Sequence, residues 1–303
     1  MPNQVITPFP FAGWNQSLRL TNSLVEVIIV PEVGRVMDFR WSGSSEGPFW
    51  INPLLLGKAP NPDSTEWGNF GGDKTWPAPQ SAWQQLTGRG WPPPRAFDSM
   101  AVMAKIEDNA VILTSPVDPH FGIQTQRRIW LDPDQPVMKI VTRYIKISGA
   151  PSRVGIWIIT QLDEPVQVYA PIAKPSLYPE GYNKQTDDLP LNFRKTGAFL
   201  AMTRNPRTGA KIGTDGTSLL WVGQTDCVRI DSPRIAGLEY PDNNSSAEIW
   251  TNPDPLPYIE LELLGPLHTL QPGDQITQTN VYTLIKRVES DPDREAARIY
   301  NQQ

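Results

Sequence analysis

Short runs of alternating or β-branched residues, bounded by Gly, Pro, Asn and Asp, recur along almost the whole chain. An apolar–polar period of two residues is typical of β-strands with one buried face. The pattern predicts twelve strands, at residues 24–30, 35–41, 100–106, 111–115, 123–131, 137–147, 154–162, 218–222, 228–231, 247–251, 258–264 and 275–286.

Only the end of the chain has a helical pattern. Asp291 can cap a helix, and Pro292 suits the first helical position, where no backbone N–H is needed. We therefore expect a short C-terminal helix at about residues 291–301. Its apolar side would be formed by Ala296, Ala297 and Ile299.

Strands with no helical pattern between them indicate antiparallel pairing, and about 250 residues of them favour a large sandwich over a small barrel. No repeat has the spacing of propeller blades, and no stretch has the composition of an interdomain linker. Residues 178–195 are expected to form a long excursion. The sequence predicts an all-β fold, a large antiparallel β-sandwich, as a single domain over residues 1–303 with its core at about 18–287.

The composition fits this fold class. The 32 prolines among 303 residues are spread along the chain and exclude a helical bundle, because helices tolerate Pro only near their starts. A hydrophobic content of 39% with 11 Trp excludes a disordered chain, because disordered chains contain too few apolar residues to form a core.

Charge and cysteine content limit the partners and the compartment. The net charge is −5 and no basic run occurs, so we expect no nucleic-acid partner. No apolar stretch reaches the roughly 18 residues of a membrane helix, and we expect no membrane partner. The start of the chain has neither the basic region nor the hydrophobic region of a signal peptide. The single cysteine, Cys227, excludes an internal disulfide. We therefore expect a cytoplasmic location. We expect no cofactor and no metal, and the oligomeric state stays open.

Residues 61–95, called here the Trp-rich segment, hold four Trp, six Pro and five Gly. Pro restricts the backbone and Trp buries large areas, so we expect an ordered Ω-like loop on the sheet surface. Two glycines at 71–72 would allow a sharp turn that presents Asp73, Lys74 and Trp76 at one rim. Such a rim suits a sugar ring, which needs hydrogen bonds at its hydroxyls and an apolar face for its C–H groups. The alternative is a structural turn with a solvated ion pair and a core Trp.

Two carboxylates share one face of the predicted strand at 258–264. The alternation places Glu260 and Glu262 on the same side as Tyr258. Neighbouring carboxylates raise one another's pKa, so that one can act as a general acid or base. The alternative is a solvated outer face with two ordinary Glu.

Histidine offers little chemistry in this sequence. His120 and His268 have no partner at metal-ligand spacing, so a zinc site is not expected. His120 lies in a loop before a predicted strand, where it could reach a ligand, and it is kept as a candidate catalytic residue.

Both ends of the predicted fold resemble galactose-mutarotase-like proteins. Residues 20–39 form a strand that leads through Pro31 and a Gly-Arg turn at 34–35 into the next strand. Residues 258–264, followed by LQPGD at 270–274, resemble the late strand that carries the family's Glu and the turn before its closing strand. Within that superfamily, the GGDKTWPAP string at 71–79 resembles that of a bacterial family of unassigned function.

The resemblance implies a β-supersandwich with a carbohydrate on its concave face and a Glu as base on the anomeric hydroxyl. Glu260 or Glu262 matches that position. The family also uses a His as acid, but the corresponding region here, residues 154–161, holds none. A second family His normally precedes the glycines of the earlier loop, where this chain has Asn69 and Phe70. Candidates to replace the acid are His120, Lys74 or Asp73, and the face would further include Arg35, Trp157 and Gln161.

These observations lead to a carbohydrate-active protein that binds a sugar or sugar derivative. If it is an enzyme, an isomerase of the aldose 1-epimerase type is the first hypothesis. One alternative is a non-catalytic carbohydrate-binding protein, which the absent histidines favour. Another is a structural or protein-interaction sandwich that uses the Trp-rich segment, since large aromatics are common at interface centres.

Overall fold

The computed structural model describes residues 4–301. The first three residues, which belong to the N-terminal stretch predicted to lack a signal peptide, lie outside the described residues. Within this range the chain forms twenty-one strands, four short helices and two 3₁₀ turns, at Pro53–Leu55 and Gln80–Ala82. The strands are β1 (Val5–Pro8), β2 (Leu18–Thr21), β3 (Val25–Val30), β4 (Arg35–Trp41), β5 (Asp73–Ala78), β6 (Met103–Glu107), β7 (Ala110–Val117), β8 (Ile123–Leu131), β9 (Val137–Lys146), β10 (Ser152–Asp163), β11 (Gln167–Pro171), β12 (Asn183–Lys184), β13 (Leu191–Thr196), β14 (Phe199–Thr203), β15 (Ala210–Thr214), β16 (Ser218–Val222), β17 (Asp226–Asp231), β18 (Ala247–Thr251), β19 (Tyr258–Leu264), β20 (His268–Leu270) and β21 (Gln275–Lys286). The helices are α1 (Trp83–Thr87), α2 (Arg95–Asp98), α3 (Pro241–Asn244) and α4 (Pro292–Asn301).

The strands form two antiparallel sheets that pack face to face. In residues 4–301 the first sheet has the order β1-β2-β3-β4-β5-β10-β19-β18-β15-β12, with β20 paired to β10. The second has the order β13-β14-β11-β16-β17-β21-β9-β8-β7-β6. The main core lies between them, where apolar residues of both inner faces meet. The protein is therefore the all-β sandwich that the sequence predicts.

All twelve predicted strands are confirmed, six of them with the predicted bounds: β4, β8, β16, β18, β19 and β21. The predicted C-terminal helix is α4. The predicted alternation in β19 is confirmed too, because Ile259, Leu261 and Leu263 lie in the core between the sheets. No helix among the described residues is long and apolar enough to cross a membrane.

The prediction of a loop throughout the Trp-rich segment is wrong, because its middle is strand β5. This strand pairs along its whole length with β10, but with β4 only through Asp73 and Val36. Most of one edge is thus free of ladder hydrogen bonds, which is where a strand tolerates a proline such as Pro77. Both faces of β5 are buried, so its sequence lacks the usual alternation of apolar and polar residues.

The two glycines before β5 make the predicted sharp turn. Gly71 has φ +93°, and a Cβ there would lie 2.2 Å from the carbonyl oxygen of Trp50. Gly72 has φ +70°, and its Cβ would lie 2.4 Å from the carbonyl oxygen of Val36. Only glycine allows both this conformation and so close a backbone approach.

Candidate functional site

Five neighbouring strands in the middle of the first sheet carry polar and aromatic residues on the face turned away from the second sheet. These strands are β5, β10, β19, β18 and β15. The register aligns their outward residues across the sheet, with Trp157 beside Trp76 and Gln161 beside Glu260. The outward residues of this part of the sheet include Lys74, Trp76, Trp157, Gln161, Lys211, Glu248, Trp250, Glu260 and Glu262.

A cavity of about 340 Å³ lies on this face. Trp67 and Trp91 of the Trp-rich segment contribute to its walls, so this segment covers the sheet as an aromatic roof. The complete lining consists of Trp67, Trp76, Gln80, Trp91, Trp157, Lys211, Trp250, Asn252, Tyr258, Glu260 and Glu262.

The indole walls are packed against one another at right angles. The ring of Trp76 meets those of Trp67, Trp91 and Trp157 edge to face, with centroids 5.5, 5.8 and 5.4 Å apart. This geometry suits the aromatic quadrupole and holds the rings in place. Trp91 is the outermost of them, with 45% of its surface exposed. The cavity thus has apolar walls of mutually packed indoles and one partly exposed indole at its rim.

A buried carboxylate anchors two of these indoles. Asp98 accepts hydrogen bonds from Nε1 of Trp67 and of Trp76, both at 2.9 Å. Arg35 lies behind it and forms an ion pair with Asp98 at 2.8 Å, with both side chains at most 2% exposed. Arg35 is therefore placed behind the cavity wall rather than in the lining, and it holds the anchor of the aromatic roof.

The two Glu of β19 have different partners. Glu262 accepts a hydrogen bond from Trp157 Nε1 at 2.6 Å and pairs with Lys211 Nζ at 2.8 Å. Lys211 also pairs with Glu248 at 2.6 Å. Burial alone would lower the pKa of Lys211, but the two carboxylates raise it above its usual range. Glu262 is thus held by a permanent cation and a fixed indole N–H.

Glu260 is the less constrained carboxylate. It accepts a hydrogen bond from Gln161 Nε2 at 2.9 Å, and Lys74 Nζ lies 3.6 Å from its Oε1. Burial raises the pKa of Glu260 to about 7, with Lys74 opposing this and Glu262 adding to it. A carboxylate with this pKa changes its protonation near neutral pH, as a general base must. Gln161 lies next to the cavity as the partner that orients Glu260.

Lys74 lies beside Glu260 without a hydrogen-bond partner among residues 4–301. Its side chain is 2% exposed, and its Nζ lies 5.6 and 5.0 Å from the ring centroids of Trp67 and Trp76. Burial lowers the pKa of Lys74 to about 8, with Glu260 opposing this and Arg35 adding to it. An ammonium group with three unused donors therefore lies immediately behind the cavity wall.

The prediction that Asp73 shares a rim with Lys74 and Trp76 is wrong. Because β5 is a strand, Asp73 points to the opposite face, between the two sheets. There it pairs with Arg127 and accepts hydrogen bonds from Tyr282 at 2.6 Å and Thr160 at 2.7 Å. Asp73 is completely buried and joins the two sheets, so it does not reach the cavity.

The structure also separates His120 from the Trp-walled cavity. His120 lines a different cavity, of about 660 Å³, together with Arg89 and Arg95. Its backbone N–H donates to Asp118 in the loop before β8. His120 therefore cannot act with Glu260 on one ligand in the Trp-walled cavity. Within residues 4–301 no group of three or more His, Cys, Asp or Glu could hold a metal ion.

Known proteins resemble this chain in structure but not in sequence. The sequence matches no protein-family model and no curated protein. A galactose mutarotase-like protein from Lactobacillus casei has a TM-score of 0.56 at 11% identity, with 88% of this chain and 99% of that chain covered. A galactose mutarotase-like protein from Clostridium acetobutylicum has a TM-score of 0.53 at 10% identity, with 94% and 99% covered. This chain has the galactose mutarotase-like fold.

The same fold occurs within a longer solved chain. A TPR-domain containing protein from Parabacteroides distasonis matches with a TM-score of 0.57 at 14% identity over 89% of this chain. This chain spans about half of that protein, 47% of its length. At these identities the galactose mutarotase-like fold is shared, while the chemistry depends on the residues of this chain.

Several residues in or next to the cavity of this mutarotase-like fold were not predicted from the sequence. Lys211 and Glu248 belong to strands whose outer residues carry no motif, and β15 itself was not predicted. Asp98 lies in α2, which is only four residues long. The one signal that could have found Glu248 is the alternation in β18, which places it on the same face as Trp250.

Proposed function

We propose that the protein binds a sugar or sugar derivative in the Trp-walled cavity. The observation that carries this proposal is the combination of indole walls with Glu260 at one end of the cavity and Lys74 directly behind it. Indole faces cover the C–H groups of a sugar ring, while a carboxylate in the lining accepts hydrogen bonds from its hydroxyls. The volume of about 340 Å³ suits a small ligand of this class.

We further propose an aldose 1-epimerase-like activity, with Glu260 as base and Lys74 as acid. Once the side chain of Trp67 moves aside and exposes Lys74 Nζ, Glu260 takes the proton of the anomeric hydroxyl while Lys74 donates one to the ring oxygen, which opens the ring to the aldehyde. Reclosure on the other face gives the other anomer. Glu260 suits the role of base better than Glu262, because Lys211 and Trp157 already occupy Glu262.

The pH dependence of anomer exchange tests these two roles. Glu260 must be ionised, so the rate rises as the pH passes its pKa of about 7. Lys74 must be protonated, so the rate falls as the pH passes its pKa of about 8. We expect a narrow bell-shaped profile that belongs to the pair, measured by polarimetry with the buffer-catalysed rate subtracted. A rate that does not change with pH over this range would contradict the acid–base pair.

Sugar affinity should depend on the indole at the rim. Trp91→Ala removes an exposed wall of the cavity and should weaken binding about tenfold, or about 1.4 kcal/mol. Trp130→Ala is the matched control, since Trp130 is half-buried on β8 in the second sheet and does not line the cavity. Isothermal titration with a sugar selected by thermal shift measures both. Equal affinities in the two variants would place the sugar elsewhere.

Two alternative functions are separated by simple observations. Saturable sugar binding without faster anomer exchange would identify a non-catalytic carbohydrate-binding protein, as the absent histidines would favour. The protein-interaction alternative is less supported, because Trp67, Trp76 and Trp83 of the Trp-rich segment pack against this chain's own core. We also propose a cytoplasmic location, with which the free buried thiol of Cys227 agrees, and membership of a subgroup marked by the GGDKTWPAP string.

A further inference from the structure

The two lysines at the cavity are in opposite electrostatic situations. Lys211 is held by two buried carboxylates, which keep its amine protonated. Lys74 has only Glu260, at 3.6 Å, and no hydrogen bond within residues 4–301. A buried lysine without a strong ion pair is the kind that reacts as a neutral amine.

The surroundings of Lys74 favour that neutral form. Its Nζ lies against two indole rings, and the charged groups that face it come from three elements. Glu260 and Glu262 on β19 and Asp98 on α2 stabilise the ammonium form, while Arg35 on β4 and burial oppose it. Burial is the largest of these effects and lowers the pKa of Lys74 to about 8. At neutral pH the neutral fraction of Lys74 is therefore far larger than that of an exposed lysine, although the ammonium form still predominates.

Three neighbours of Lys74 Nζ are themselves part of the cavity lining, namely Trp67, Trp76 and Glu260. A ligand that contacts Glu260 is therefore close to the amine of Lys74, because Nζ lies only 3.6 Å from the carboxylate of Glu260. Because Nζ itself is covered, a ligand reaches it by displacing the partly buried side chain of Trp67, which belongs to a loop of the roof.

We propose that Lys74 forms an imine with the aldehyde carbon of an open-chain aldose or a short hydroxyaldehyde bound in this cavity. This inference rests on the proposed function, because ring opening is what would create the aldehyde beside Lys74. It goes beyond anomer exchange, since it adds a covalent intermediate and a second role for the same lysine.

The step balances without an oxidant or reductant. The neutral amine of Lys74 attacks the carbonyl carbon, and the C–N bond forms as the C=O π electrons move to oxygen. A proton passes from nitrogen to that oxygen to give a carbinolamine. Glu260 in its acid form then protonates the hydroxyl, which leaves as water while the nitrogen lone pair completes the C=N bond. Addition of water reverses the sequence and frees the sugar.

Reductive trapping tests this proposal. The protein is incubated with glyceraldehyde and sodium cyanoborohydride at pH 7.5, and labelled lysines are located by peptide mass spectrometry. We expect Lys74 to be labelled at least roughly tenfold faster than Lys211 and than the exposed Lys105, since a lower pKa leaves more neutral amine. A sugar bound in the cavity should slow the labelling of Lys74 alone.

Two variants complete the test. Lys74→Arg keeps a cation but cannot form an imine, and it should lose only the Lys74 label. Lys105→Arg is the matched control at an exposed lysine, whose side chain is 73% accessible, and it should leave the labelling of Lys74 unchanged.

The outcomes separate this inference from the proposed function. Labelling of Lys74 by glyceraldehyde in a protein that does not exchange anomers would support the imine and refute the epimerase. Anomer exchange without any Lys74 label would overturn the imine and leave the epimerase standing. Labelling of Lys211 or Lys105 at the same rate as Lys74 would also overturn it.

Discussion

Glu260→Gln should abolish catalysed anomer exchange while the protein still folds. The amide cannot accept the anomeric proton, and loss of a general base of this kind costs about 10²–10⁴-fold in rate. The change is nearly isosteric, and Lys74, left without its carboxylate, can release its proton rather than stay as an unpaired buried cation, so the melting temperature should fall less than in Asp73→Ala. Saturation-transfer NMR between the two anomeric proton signals measures the exchange rate directly.

Glu262→Gln is the matched control on the same strand face. It removes one of the two carboxylates that hold Lys211, so it should lower the melting temperature more than Glu260→Gln does. Since Glu262 is not the base, part of the exchange activity should survive. If anomer exchange is lost in the Glu262 variant and kept in the Glu260 variant, Glu262 is the base and the assignment of the two residues is wrong. Exchange that is unchanged in both would refute the mechanism.

Asp73→Ala should destabilise the fold by about 3–5 kcal/mol, which is the usual cost of leaving one partner of a buried ion pair alone. The guanidinium of Arg127 would stay between the sheets without its carboxylate, and Tyr282 and Thr160 would lose their acceptor. Urea unfolding curves of the variant and the wild type, monitored by tryptophan fluorescence, measure the change in the free energy of unfolding.

Asp63→Ala provides the control for this prediction. Asp63 also pairs with an arginine, Arg95, but that pair is exposed, with 86% of the Asp63 side chain accessible. Its loss should change the free energy of unfolding by less than about 1 kcal/mol. An Asp73 variant that unfolds like the wild type but no longer binds sugar would show that Asp73 faces the ligand, and the strand register of β5 would then be wrong.

Strands could be predicted from the sequence where neighbouring residues alternate between apolar and polar. Strands such as Tyr258–Leu264 alternate strictly because one face is in the core, and this alternation located both the strand and the shared face of Glu260 and Glu262. It could not locate β5, because a strand that is buried on both faces and holds Asp, Lys and Pro has no such pattern. Placing Asp73 at the rim followed from that error.

The candidate site was predictable only in part, because its chemistry depends on contacts between distant segments. Trp76, Lys74 and Glu260 were identified as single residues, yet their proximity results from β10 lying between β5 and β19. The partners that distinguish Glu262 from Glu260 are Lys211 on β15 and Trp157 on β10, which approach β19 only in the folded sheet. No spacing along the chain encodes such an arrangement.

A crystal structure with a bound reducing sugar tests the central claim most directly. A ligand selected by thermal shift should lie in the Trp-walled cavity, with its ring against the indoles and its anomeric oxygen within hydrogen-bonding distance of Glu260. Sugar bound in the separate cavity beside His120, or bound here with its anomeric carbon turned away from Glu260, would contradict the account.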